Sequence, residues 1–434
     1  MNPLRIGIAG LGTVGTGVLR LLHDNAEIVA ARAGRAIEVA AISARDRGRD
    51  RGVRLDGMRW HDDPMTLATT NGIDAVVELI GGAEGVARHL VEAALGAGRP
   101  VVTANKALLA VHGAELAALA ERRGAGLAFE AAVAGGIPVI KALREGLAGN
   151  RIDAIAGILN GTCNYILTTM HRQAGREQGG DFAEVLAEAQ RLGYAEADPA
   201  FDIDGIDAAH KLAILAALAF GRPVAFEAVH VEGIGGVSAL DIGFAAELGY
   251  RIKLLGIARR TRAGVTARVH PCLVPQSAPI ARVDGVFNAV VAEGDFVGRI
   301  MLEGRGAGGG PTASAVVADL IDLARGRATP VWGAASGALS TLPSVSIAAH
   351  VGAYYLRLMV VDRPGVIADV AAALRDEGVS LESMIQRGRA PSEAVPVVLV
   401  THETAETAMR GALARIARLD AVLEPPTLIR IESG

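Results

Sequence analysis

Leu4-Arg5-Ile6-Gly7-Ile8-Ala9 runs straight into Gly10-Leu11-Gly12-Thr13-Val14-Gly15 and then into Thr16-Gly17-Val18-Leu19-Arg20-Leu21-Leu22. The first segment is short, apolar and β-rich, as a buried parallel strand is. The last spaces its apolar residues as a helix does. Between them stands G-x-G-x-x-G. In this strand–turn–helix setting Gly10 makes the tight turn, Gly12 lets the backbone approach a pyrophosphate, and Gly15 lets the helix lie close to the strand. The helix N-terminus, with Thr13 and Val14, then faces the phosphates. The plainer alternative is a glycine-lined βα turn that holds nothing.

Outward from this turn, the composition fits a close-packed α/β protein of two or three domains. The chain has 434 residues, half of them hydrophobic, with 54 glycines and an aromatic content of only 3%, so Ala, Val, Leu and Ile build the core. A net charge of −4 gives no footprint for nucleic acid. The longest apolar run, Leu212–Phe220, is too short to span a bilayer. A strand that starts almost at the first residue leaves no room for a signal peptide, so a cytoplasmic location is expected. Cys163 and Cys272 make neither a disulfide framework nor a zinc motif.

The βα rhythm continues through residue 135. Ile37–Ser43 reads as the second strand. An acidic residue at its end would select NAD, but Ser43-Ala44-Arg45 stands there instead. Arg45 suits the 2′-phosphate of NADP, because a guanidinium binds phosphate in a fork; the alternative is a solvated basic loop, since Arg49, Arg51 and Arg54 follow. Ile73–Ile80 and Pro100–Ala104 are further strands, the latter carrying Thr103 and delivering Asn105-Lys106 to the carboxyl end, where ligands bind in open α/β sheets. A helix over Leu108–Arg123, a strand over Leu127–Val133 and a sharp corner at Ala134-Gly135-Gly136-Ile137-Pro138 complete a doubly wound parallel sheet.

From Arg151 the rhythm changes. Ile152–Leu159 reads as a strand and ends in Asn160-Gly161-Thr162-Cys163-Asn164, which opens a helix. The polar stretch Arg172–Gly180 leads to a second helix at Phe182–Leu192. Then Gly193-Tyr194-Ala195-Glu196-Ala197-Asp198-Pro199-Ala200-Phe201-Asp202-Ile203-Asp204-Gly205-Ile206-Asp207-Ala208-Ala209-His210-Lys211 crowds five carboxylates and a lysine against an apolar helix. Asp207 and Lys211 are one helical turn apart and share a face. A helix-start salt bridge beside a solvated loop would explain the pattern blandly. A lysine on a buried apolar helix, however, is drawn toward function by its surroundings. Val265–Val269, Val286–Ala292 and Arg299–Glu303 fit an antiparallel sheet. A second glycine-rich loop, Gly304–Thr312, opens the helix Ala313–Leu323. It is either a linker or a loop that packs against a cofactor. Residues 326–350 read as a linker, and 351–434 as βαββαβ, a ferredoxin-like module.

Taken together, these motifs resemble homoserine dehydrogenase with a C-terminal ACT domain, in the monofunctional form with no aspartate kinase segment ahead of it. The likeness rests on the N-terminal glycine turn, Thr103-Ala104-Asn105-Lys106-Ala107-Leu108, Glu130 through Pro138, Leu159-Asn160-Gly161-Thr162, and Gly193 through Lys211. It implies a Rossmann-type NAD(P) domain over 1–135, completed by 305–325, and an α+β catalytic and dimerisation domain over 136–304. The implied reaction is the interconversion of L-aspartate 4-semialdehyde and L-homoserine on the route to threonine, methionine and isoleucine. Lys211 and Lys106 match the active-site lysines. Glu196 and Asp207 match the substrate-binding acids, with Asp202 in support. Gly308 matches a glycine near the cofactor. Glu130 with the backbone of Val133, Gly135 and Ile137 matches a monovalent-cation site, usually sodium. Threonine or another amino acid is the implied effector at the ACT domain, near Asp362–Gly365, and the implied assembly is a homodimer.

A lysine ammonium suits the chemistry, since aldehyde reduction needs a proton on the oxygen as alkoxide character develops. Two competing readings remain. In aspartate-semialdehyde dehydrogenase a cysteine forms a thioester, and Cys163 at a helix mouth is the candidate. A nucleotide-sensing regulator without turnover is the other.

Overall fold

The computed structural model describes residues 2–174, 180–327, 329–387 and 394–433. Part of the polar stretch 172–180 therefore lies outside the described residues, as do residues 388–393.

The N-terminal sheet is fully parallel. From one edge its strands are Arg59–His61, Ile37–Ser43, Leu4–Ala9, Ala75–Glu78, Val101–Thr103 and Leu127–Ala128. Chain order reverses beside Leu4–Ala9, the crevice where such sheets hold ligands. The strand expected over Leu127–Val133 stops at Ala128. Residues Glu130–Ala132 form a 3₁₀ turn instead, because the Glu130 carboxylate turns inward to accept from the amides of Ile140 and Lys141, both at 2.9 Å. Tertiary partners override the local β preference there.

The N-terminal half is closed by a distant piece of chain. The helix Gly309–Ala324 packs along the first helix, Thr13–Asp24. The backbones meet so closely that a Cβ on Gly17 would lie 2.6 Å from the Gly309 carbonyl oxygen. The second glycine loop is thus no linker. Its Gly309 and Gly310 already belong to the helix.

The rest of the chain builds a second sheet, twelve-stranded among the described residues. The half expected to be catalytic runs Gly298–Arg305, Phe287–Gly294, Ile152–Ile158, Tyr250–Thr261 and Gly264–Pro275. Tyr250–Thr261 was not foreseen. It lies inside the sheet, and the buried Lys253 interrupts its apolar pattern. The C-terminal half runs Thr427–Ile431, Val351–Val361, Ala394–Thr401 and Leu381–Gln386, with the helices Val366–Asp376 and Glu406–Ile416 on one face. This is the expected βαββαβ module. The two halves are joined edge to edge by a parallel pairing of Cys272 with Arg430 and Leu273 with Ile431. The segment expected as a linker is fastened down: Trp332 is buried against Phe129 at 5.3 Å, and Ser344–Val345 pairs with Val265–Thr266.

The helix Ile206–Phe220 runs beneath the catalytic half of the sheet. It starts after Gly205 and stops at Gly221, both left-handed (φ 84° and 58°), as a chain leaving a helix favours. It is apolar on nearly all sides and buried at all but Ile206 and Ala219, so its ionisable residues are held in the core.

Candidate active site

Asp207 stands at the centre of a cleft of about 420 Å³ between the two halves of the protein. One of its oxygens lies 2.7 Å from the Lys211 ammonium, and the other lies 3.0 Å from that of Lys106. Lys211 also donates to the Leu159 carbonyl oxygen at 2.8 Å. Asn160 caps the helix Gly161–Gln173 through its side-chain oxygen, and its amide nitrogen donates to Asp202 and Asp207, both at 2.8 Å. Burial alone would raise the Asp207 pKa. The two ammonium groups and the Asn160 hydrogen bond outweigh it and hold the carboxyl below its ordinary range.

Lys106 arrives from the N-terminal half. Buried Glu78 accepts from the amides of Ile80 and Gly81 and from the Thr103 hydroxyl at 2.6 Å. The Asn105 amide donates in turn to the Thr103 oxygen at 3.0 Å. Thr103, expected to bind cofactor, thus has its hydroxyl committed to bracing the loop that presents Lys106. The Lys106 ammonium also sits 5.8 Å from the Phe201 ring, within cation–π range.

The glycine turn has the geometry its sequence calls for. A Cβ on Gly10 would meet the Leu79 carbonyl oxygen at 2.4 Å, and one on Gly15 the Gly10 oxygen at 2.1 Å, whereas Gly12 faces open space. Gly12 opens onto two grooves. One, of about 520 Å³, reaches Arg45 and the end of the second strand. The other, of about 680 Å³, passes Thr13 to Gly309 and Gly310. Gly308, one residue earlier, lines the Asp207 cleft. Residues 308–310 thus pass from the groove beside the glycine turn to the cleft that holds both lysines. Arg51 takes part in a way the sequence did not single out: its guanidinium donates to the carbonyl oxygens of Leu11 and Asp46, tying the basic loop to the glycine turn.

Glu130, Val133, Gly135 and Ile137 are all buried at the corner joining the halves. Ala134 is left-handed there (φ 55°), and it is the one non-glycine residue of this kind among the described residues. That conformation costs about 1 kcal/mol and persists only where surroundings impose it. Glu130 is pushed up to about 7 by burial and by the neighbouring Asp319. A buried carboxylate short of positive charge, beside a strained turn, suits a hard cation held by one carboxylate and backbone oxygens. No cluster of three or more His, Cys, Asp or Glu side chains able to hold a metal occurs among the described residues.

Lys106, Lys211, Asp207, Asp202 and Gly308 therefore share one cleft. Glu196 does not line it. It is exposed on the turn whose Gly193 and Tyr194 do. Asn160 is the site residue the sequence left unassigned, and its signal was an Asn directly before a helix. Cys163 is fully buried, donates to the Asp202 carbonyl oxygen at 3.1 Å, and is pushed well up by burial and nearby carboxylates. A thioester-forming thiolate is disfavoured there. No helix among the described residues is long and apolar enough to cross a membrane.

Known proteins match along the whole chain. Family profiles described as "Homoserine dehydrogenase, NAD binding domain", "Homoserine dehydrogenase" and "ACT domain" match residues 10–130, 138–321 and 354–421. A homoserine dehydrogenase of Pseudomonas aeruginosa is 49% identical, covering 100% of this chain and 99% of its own. The crystal structure of one from Thiobacillus denitrificans superimposes with a TM-score of 0.94 at 48% identity, over 100% of this chain and 99% of its own. A hyperthermophilic archaeal homoserine dehydrogenase solved with NADPH matches 74% of this chain and 97% of its own, with a TM-score of 0.63 at 29% identity.

Proposed function

The chain belongs to the homoserine dehydrogenase family and is an NAD(P)-dependent oxidoreductase; from that premise we propose that it interconverts L-aspartate 4-semialdehyde and L-homoserine, in the cytoplasm, on the route to threonine, methionine and isoleucine. The observation that carries this reading is Asp207 bridging the Lys211 and Lys106 ammonium groups at the end of a dinucleotide groove. Bound there, the reduced nicotinamide supplies hydride for the aldehyde carbon.

The chain's own residues handle the proton and the charge. An ammonium has three N–H donors. Lys211 gives two of them to Leu159 and Asp207, which leaves the third to protonate the substrate oxygen. In the oxidative direction a neutral Lys211 takes the hydroxyl proton back. Lys106, a third exposed, orients the substrate or relays the proton. Asp207 and Glu196 receive the substrate's α-ammonium, with Asp202 in support, and for Glu196 this requires its turn to fold over the cleft.

Four finer assignments belong to the same proposal. Arg45 in the adenosine groove favours NADP over NAD. Glu130 with the carbonyls of Val133, Gly135 and Ile137 holds a monovalent cation, sodium by family likeness. An amino-acid effector such as threonine occupies the hollow of about 430 Å³ around Asp362–Gly365 of the ACT domain. The outer strand Gly298–Arg305, at a free edge of the larger sheet, supports a homodimer built on that sheet.

Nicotinamide absorbance tests the central assignment. Wild type with NADP⁺ and L-homoserine should turn over. Lys211→Ala should bind NADPH yet be nearly inactive. Binding of NADPH by wild type without turnover on either substrate would make the protein a sensor and leave the acidic turn a structural one.

A further inference from the structure

The joint between the catalytic half and the C-terminal module is ionic and buried. Arg430 is 1% exposed. Its guanidinium donates to both oxygens of Glu232 at 2.8 and 3.1 Å and to both oxygens of Glu406 at 2.9 and 2.6 Å. Glu406 belongs to the module and also accepts from the Tyr354 hydroxyl at 2.9 Å. Glu232 belongs to the catalytic half, where His230 at 2.8 Å and the buried His270 also face it; from the module Arg410 approaches it at 3.5 Å while donating to Glu406 at 2.8 Å.

Glu232 is followed immediately by the segment that supports the acidic turn. The Ile234 amide donates to the Ile203 carbonyl oxygen at 2.9 Å. A Cβ on Gly233 would lie 2.4 Å from that same oxygen and 2.7 Å from the Asp204 Cα. On its far side this turn carries Asp202, held by Asn160 and Cys163, and it leads into Asp207 and Lys211. Backbones in such contact move together.

We propose that Arg430 is a positioning residue for the active site: by gripping Glu232 it presses residues 232–234 against Ile203–Gly205 and so fixes Asp202 and Asp207 beneath the two lysines. A displacement of the strand Thr427–Ile431 in the module then reaches the catalytic carboxylates through the Arg430–Glu232 pair, which Arg410 flanks, and one backbone contact. This rests on the proposed reaction, and wild-type turnover with L-homoserine checks that reaction separately.

The test compares Arg430→Met, Glu232→Gln, their combination and Glu406→Gln in the full-length protein, by steady-state kinetics, NADPH titration and thermal melting. Each change disturbs the buried network and lowers Tm. Positioning predicts that Arg430→Met and Glu232→Gln each reduce kcat about tenfold with NADPH affinity unchanged, and that the double variant is no worse than the poorer single one. Glu406→Gln, which does not face the turn, should lose Tm and keep kcat. The idea is overturned if all the variants keep kcat within about twofold of wild type while Tm falls, or if Glu406→Gln loses as much kcat as Glu232→Gln. Should Arg430→Met not fold, the near-isosteric Glu232→Gln against Glu406→Gln decides alone.

Discussion

Asp207 and Glu130 are both buried, at 4% and 2% exposure, yet their environments push them in opposite directions. Asp207 has two ammonium groups within 3.0 Å and is held ionised. Glu130 has only two backbone amides, with Asp319 nearby adding repulsion, and is pushed up to about 7. Lys141 also acts on Glu130 but pairs directly with Asp319 at 3.3 Å and Asp322 at 2.5 Å, and its pull does not offset burial. Burial alone therefore does not set the state of a carboxyl group. Asp207 belongs to a cluster in which ammonium groups outweigh burial, whereas at Glu130 burial and a like charge prevail.

The largest expected effect comes from removing the nearer partner of Asp207. Lys211→Ala should lower kcat by about 10³-fold with NADPH affinity retained, because proton donation and charge stabilisation are lost together. A fall below tenfold would assign the proton to another group. Next, Asp207→Asn leaves two ammonium groups facing each other without their shared anion, and should cost about 3 kcal/mol of stability in denaturant melts at neutral pH. The sign with pH follows from its depressed pKa. The stabilisation from Asp207 is fully present above the ordinary value of 3.8 and is lost as pH falls below it. The acid-side slope of wild type should flatten in the variant, and parallel slopes would show that Asp207 is not specially stabilised.

Lys106→Met, removing the more exposed partner, should reduce kcat about tenfold and raise the KM for homoserine. An unchanged KM with a fall as deep as that of Lys211→Ala would exchange the roles of the two lysines. The smallest effect concerns Glu130. Sodium chloride should raise the wild-type Tm by about 2–4 °C over choline chloride at equal ionic strength, a linkage effect of roughly 1 kcal/mol. Glu130→Gln should abolish that gain. An equal response in both proteins would remove the cation from this corner.

The sequence exposed parts of this contrast unevenly. The glycine turn was legible because each of its glycines answers a local steric demand, and the Asp207–Lys211 pair because helical spacing alone puts them on one face. Asn160 stands directly before a helix, where a cap is favoured, but nothing local marks it as a bridge. Its two carboxylate partners lie more than forty residues away, and no local period encodes that contact. The turn at Glu130 reads as strand because Phe129, Ala131 and Val133 look β-like in isolation. Only the amides of Ile140 and Lys141, on another element, reverse the reading. The strand Tyr250–Thr261 was hidden for a related reason: Lys253 sits in the core, with Asn164 and the Val283 carbonyl oxygen satisfying its ammonium. The pairing of Cys272 with Arg430 joins modules that each look complete alone.

The helix Gly309–Ala324 completes the nucleotide-binding half from far along the chain, and this bears on how the protein is made. Five of the six parallel strands and the first helix are defined by residue 103, yet the face of that helix carrying Gly17, which packs on Gly309 and Ala313, stays bare until the ribosome has passed residue 324. At ordinary elongation rates the interval is on the order of tens of seconds. Throughout it, a nascent chain holds an apolar groove open to water and to other nascent chains. Translation arrested before residue 309 should leave that groove protease-sensitive and attractive to holding chaperones, while arrest beyond residue 324 should not.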